Sequence, residues 1–308
     1  MAYEAGGLIS AADYNTLING TNKFNKTWSV GNGDAGYGQT VVTTKTAGDT
    51  VSATEWASII NKLNIVRTHQ TGAGTGVVAV VSGDVVEYQL GVDDGIDTAD
   101  TNRLDFNAQG STTTDAGTSH NPVDADGVAT FTYTRTATFA SADQARYFFN
   151  AGGELNLDLT AGANTGGTGR GAQTLSLITA LGGIADFRAT TNGGRTGTGE
   201  TETTNDLTIG YYGLTTSNQV LSRVDESGAA YTPYTADFVT VSVKSNGVQG
   251  ANADVGTIVT WTIVVESAAT GAGTFNDNID VVFTSKVNIT YPETASGLSN
   301  TWGTVTIG

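Results

Sequence analysis

The sequence predicts a mainly β protein: an antiparallel, sandwich-like body with one or two short helices, preceded by a small α-helical N-terminal region. Three observations carry this expectation. Segments such as "TIVTWTIVV" (257–265) and "IDVVFTSKVNI" (279–289) alternate apolar and polar residues, the period of a half-buried strand. Glycine supplies 41 of the 308 residues and punctuates the chain between such segments. Capped helical patterns cluster in the first 70 residues.

The N-terminal region contains an internal repeat. "GGLISAADYNTLINGTNKF" (6–24) aligns without gaps on "GDTVSATEWASIINKLNIV" (48–66). Each copy opens on a serine, Ser10 or Ser52, with an acid three residues on, Asp13 or Glu55, which forms a capping box. Ile9 and Val51 are placed to staple onto Tyr14 and Trp56. Tyr14, Leu17, Ile18 and Thr21 mark one helical face; Trp56, Ile59, Ile60, Leu63 and Val66 mark the other. Helices of about four turns are marginal alone. The apolar positions Tyr14, Leu17, Ile18, Trp56, Ile59, Ile60 and Leu63 are therefore expected to pack on each other or on a neighbouring subunit. Residues 1–70 are read as a region for docking or oligomerisation, and "QTGAGTG" (70–76) as a linker.

Beyond the linker, "VVAVVSGDVVEYQL" (77–90) is expected as a strand pair or a strand and a short helix, and the acidic run 92–120 as loop. "VATFTYTRTATF" (128–139) reads as a strand, apolar at Phe131, Tyr133 and Phe139. The next segment, 141–151, reads as a short helix: Ser141 caps it with Gln144 three residues on, and Gly152 or Gly153 ends it. Phe148 and Phe149 on so short an element are expected to plug the open end of the sandwich, with Arg146 pointing elsewhere and Tyr147 in the core. A strand over 154–160 follows, then a flexible loop at 162–172. "QTLSLITALGGIADF" (173–187) fits either a helix or two strands, and 191–206 reads as open loop. "LTIGYYGLT", "FVTVSVKSNG", "GTIVTWTIVVES", "NIDVVFTSKVNITY" and "WGTVTIG" then read as a run of strands. Residues 71–206 are taken as a β-rich domain, continuous with a C-terminal antiparallel region at 207–308.

Composition limits the function classes. The net charge of −16 repels phosphates, so no nucleic-acid partner is expected, nor an anionic membrane surface. No stretch is long and apolar enough to span a membrane. The start "MAYEAGGLIS" lacks the basic and apolar regions of a secretory leader. With no cysteine, disulfides, thiolate nucleophiles and zinc–thiolate sites are absent.

Motifs for chemistry are sparse. His69 lies at a helix end and His120 in a turn, and no serine sits in a G-x-S-x-G elbow. Acids are abundant, but no pair stands out as a glycosidase dyad. "DDGIDTAD" (93–100) and "DADG" (124–127) resemble fragments of calcium loops without the full twelve-residue pattern; Asp93, Asp94, Asp97 and Asp100 form the better cluster. The glycine-rich stretches lack a P-loop ending. No catalytic residue and no cofactor are expected.

Two stretches carry a resemblance. "SADQARYFFNAGGEL" (141–155) is similar to a segment of virion structural proteins of tailed bacteriophages, of the tail, baseplate and fibre type found in cyanophages and marine phages. "ISAADYNTLINGTNKF", "GNGDAGYGQ" and "VSATEWASIINKLNIVRTHQTG" resemble the start of such proteins. The resemblance implies a non-enzymatic structural protein, assembled in the host cytoplasm into a virion. It implies other virion proteins as partners and a homo-oligomer, a trimer being the expected state. A capsid decoration or head–neck fibre protein is the alternative. A carbohydrate-binding adhesin is another, with Trp28, Tyr37, Tyr211, Tyr212 or Tyr231 exposed to stack on a host-surface glycan.

Overall fold

A computed structural model describes residues 10–19, 23–31, 33–84, 90–124, 128–227, 236–249, 255–268 and 278–308. The N-terminal helices are α1 (Ala11–Asn19), α2 (Phe24–Trp28) and α3 (Ala53–Thr71). Both expected capping boxes form. The Ser10 hydroxyl accepts from the Asp13 N–H at 3.2 Å. The Ser52 hydroxyl accepts from the Glu55 N–H, while the Ser52 N–H donates to the Glu55 carboxylate at 3.0 Å. Gly72, at φ 80°, closes α3 in the left-handed region. α1 is described over Ala11–Asn19. Ile9 and Thr21 lie outside the described residues.

The acidic run expected as loop begins instead with a helix, α4 (Leu90–Thr101). Val92, Ile96 and Ala99 form its buried stripe against α3. Gly95 permits that approach, since a Cβ there would lie 3.0 Å from Leu63 Cδ2. Acids on the outer face hid the helical period. Residues 77–84 form no strand.

The run continues into β1 (Gln109–Thr114), β2 (Thr118–His120) and β3 (Val123–Asp124). Then come β4 (Val128–Thr138), α5 (Ala142–Asn150), β5 (Glu154–Asn164), α6 (Gly169–Leu181), β6 (Gly183–Phe187), β7 (Gly194–Arg195) and β8 (Thr201–Asn205). The chain ends through β9 (Gln219–Asp225), β10 (Phe238–Ser245), β11 (Ile258–Ala268), β12 (Ile279–Pro292) and β13 (Thr306–Ile307). Two antiparallel sheets result. One runs β1-β12-β5-β6-β7, with β2 and β3 also on β12; the other runs β13-β4-β11-β10-β9-β8. Their inward faces, with Leu155, Leu157 and Val287 in one and Val241, Trp261 and Ile263 in the other, form the sandwich-like core. α6 touches β5 and β12 of one sheet and β9 and β10 of the other.

Several local expectations change. The flexible loop at 162–172 is mostly regular: β5 runs to Asn164, and Thr168 caps α6. The ambiguous 173–187 segment resolves into a helix, a left-handed Gly182 at φ 68°, and β6. The open loop at 191–206 contains β7 and β8, and "LTIGYYGLT" folds as a turn with one 3-10 step, Tyr211–Gly213, not a strand. β9 carries no clean alternation in sequence because a bulge interrupts its pairing with β10.

The division at 70–76 does not separate two cores. Tyr14, Trp56, Phe148, Phe187, Trp261 and Trp302 belong to one apolar cluster. The Gln39 side chain exchanges hydrogen bonds with the Ser299 backbone at 2.9 and 3.0 Å, and Thr301 Oγ1 donates to the Tyr37 carbonyl at 2.6 Å. Among the described residues no helix is long and apolar enough to cross a membrane.

Candidate functional site

The expected docking residues are consumed by the chain itself. Tyr14, Leu17, Ile18, Trp56, Ile59, Ile60 and Leu63 are all buried within the fold, at most 4% exposed. They pack where the sequence left a neighbouring subunit as the other option. Phe148 and Phe149 are buried, meeting at 5.1 Å. They contact Phe139, after β4, and Phe187 of β6. Arg146 is buried, pairs with the acid Asp143 at 2.7 Å and donates to the Val30 and Gly33 carbonyls. Asn150 donates to the Asp34 and Gly36 carbonyls at 2.9 and 3.0 Å. The 28–40 loop is therefore clamped onto α5.

The sugar-stacking aromatics are not exposed. Trp28 stacks on Phe24 at 5.6 Å and gives its indole N–H to Thr40. Tyr37 is fully buried, and burial pushes its phenol well above the ordinary value. Tyr211 stacks on Phe149 at 4.3 Å, and the Tyr212 hydroxyl donates to Asn150 Oδ1 at 2.6 Å. Tyr231 lies outside the described residues.

The calcium candidates sit on a helix, not in a loop. Lys23 Nζ lies 2.8 Å from Asp93 and 3.7 Å from Asp97, and Lys26 Nζ lies 2.8 Å from Asp100. Lys23, at the N-cap of α2, and Lys26 within it thus occupy the carboxylates that a cation would need, and Asp94 stands exposed. Among the described residues no group of three or more His, Asp or Glu side chains is placed to hold a metal. Both histidines are locked in packing. His69 Nδ1 meets Glu293 Oε1 at 3.1 Å, and burial holds its imidazole below the usual value despite that carboxylate. His120 Nε2 meets Ser285 Oγ at 2.8 Å.

A polar cluster that sequence reading missed lies where β5, β6 and β1 meet. Glu154 is buried at the start of β5. It accepts from Gln109 Nε2 (2.9 Å), Asn156 Nδ2 (2.8 Å) and Arg188 Nε (2.9 Å). Burial opposes its ionisation, but these donors and a hydrogen bond with Asp186 together hold its carboxyl below the ordinary value. Asp186 is pushed up, first by burial and then by the charge of Glu154. Asp186 also has φ 48°, a left-handed conformation that Asp tolerates better than most residues. The Asn156 side chain holds it there, accepting from the Asp186 N–H at 2.6 Å.

Arg188 leads from this cluster into an open cavity of about 540 Å³. Its guanidinium lies 5.4 Å from the Phe106 ring centre. Leu104, Asp105, Phe149, Thr190 and Thr191 complete the wall that matters here. The sequence did carry part of this signal: Asp186 and Arg188 alternate in "IADFR". Their meeting with Glu154 depends on the pairing of Leu155 with Phe187 across β5 and β6.

No protein-family model, curated protein or solved structure matches the chain.

Proposed function

We propose that this chain is a non-enzymatic structural component of a tailed-phage virion, in the tail, baseplate or fibre apparatus. One observation carries the reading. The two stretches that resemble virion structural proteins lie more than a hundred positions apart, yet they fold into one joint, with Arg146 and Asn150 of α5 binding the carbonyls of Val30, Gly33, Asp34 and Gly36. A joint formed by the resembling segments supports a shared architecture more than two unrelated local matches would. The engaged histidines favour a structural role over catalysis. Assembly would take place in the host cytoplasm with other virion proteins, as a homo-oligomer, a trimer in the first instance. Because the N-terminal apolar faces are internal, subunit contacts would use the outer faces of the sheets.

Gold-labelled antibody on purified source particles, viewed by negative-stain microscopy, tests the reading. Gold at the tail tip or along fibres is the expected result. Gold over the head would transfer the chain to the decoration proteins, and unlabelled particles would overturn the virion assignment.

A further inference from the structure

The 540 Å³ cavity beside Arg188 falls within the range of about 300–1,000 Å³ typical of small-ligand sites. We propose that it binds a neutral polyhydroxylated ligand, a sugar unit of a glycan. The inference goes beyond the structural role and does not depend on it.

The wall chemistry selects the ligand. Arg188 Nη1, the Asp105 carboxylate and the hydroxyls of Thr190 and Thr191 have no protein hydrogen-bond partner among the described residues, and they line one cavity. Asp105, Thr190 and Thr191 are open to solvent, so donors and acceptors are both available to the vicinal hydroxyls of a ligand. Formal charge argues against an anionic ligand. The guanidinium is already matched by Glu154 at 2.8 Å, Asp186 lies 3.6 Å from it, and Asp105 adds a further acid, so an anion gains no net attraction. Leu104 and the edge of Phe106, with buried Phe149 behind them, offer an apolar patch for sugar C–H groups.

The site is also built before any ligand arrives. Glu154 holds Arg188 through Nε and Nη2 at 2.9 and 2.8 Å. Phe106 is seated on Gly152, where a Cβ would come within 2.5 Å of its ring. Fixed polar groups lose little entropy on binding, which favours even a weakly held sugar.

The test uses the purified full chain on a broad glycan array, followed by ligand-observed NMR with the free neutral sugars that score. Thr190→Trp fills the cavity from an exposed position without touching the Glu154–Arg188 contact. The expected result is binding of neutral glycans that weakens roughly tenfold or more in this variant, while the unfolding midpoint stays unchanged. Arg188→Ala should weaken binding similarly. Retention of only sialylated or sulfated glycans would overturn the proposal. So would binding that Thr190→Trp leaves intact, or an array with no glycan retained.

Discussion

The two copies of the N-terminal repeat start alike and carry different residues onward. Both open on a serine–acid box that forms as the sequence requires. The first copy gives α1, described over Ala11–Asn19, and the second gives the 19-residue α3. Gly20 and Thr21 stand in the first sequence where Lys62 and Leu63 stand in the second. In the second copy the apolar stripe runs on through Leu63 and Val66, both fully buried. The comparison shows that a helix start is a local decision, whereas the reach of its apolar stripe is set by the residues that follow. The copies are also tied together: Asn15 exchanges two hydrogen bonds of 2.8 Å with the Lys45 backbone, and Lys45 Nζ pairs with Glu55 at 2.5 Å.

Removing both copies should have the largest effect. Deleting residues 1–70 strips Arg146 and Asn150 of their carbonyl partners and opens the shared core. The truncated chain is expected to lose cooperative urea unfolding and to aggregate. This reverses the expectation of a separable docking region, and a soluble truncation with a sharp transition would restore it.

Single core truncations sharpen the contrast between copies. Leu63→Ala, between α3 and α4, should cost about 3–4 kcal/mol, and Leu17→Ala in α1 about 2–3 kcal/mol. Equal losses in urea denaturation would mean that the two helices contribute alike. Placing the first copy's glycine in the second, Lys62→Gly, should cost about 1 kcal/mol if α3 is held mainly by its buried stripe. A much larger loss would show that local propensity also sustains its length.

The smallest effect concerns acid. Hydrogen bonds from Lys45 first, then from Ser52, hold the Glu55 carboxyl down at about 2. A carboxyl depressed in the folded state contributes stability above its unfolded value, near 4.5, and that contribution fades as pH falls toward 2. Glu55 is more than a third exposed, so solvent screening limits the contribution to a few tenths of a kcal/mol, at most about 1. Glu55→Gln should flatten the loss of stability between pH 4.5 and 2 by that amount. An unchanged acid slope would show that the Lys45 contact adds nothing to the second copy's start.

The sequence by itself determined the class and much of the local detail. Period-two alternation marked β4, β5, β11 and β12, because one face of each strand is buried. Serines with acids or glutamine three residues on marked the starts of α1, α3 and α5, because capping is settled within one turn. The adjacent phenylalanines of α5 marked a buried face. Tertiary structure alone decided the rest. α4 was hidden by its aspartates, which are legible as helical only beside Lys23, the cap of α2, and Lys26 within it. β9 was hidden by a bulge, and the short β7 and β8 exist only as partners of neighbouring strands. The apolar faces of α1 and α3 were legible, but whether they met another subunit or the chain's own core was not, since burial depends on the partner and not on the face. The Glu154–Asp186–Arg188 cluster likewise required strand register, which joins residues more than thirty positions apart that no local pattern connects.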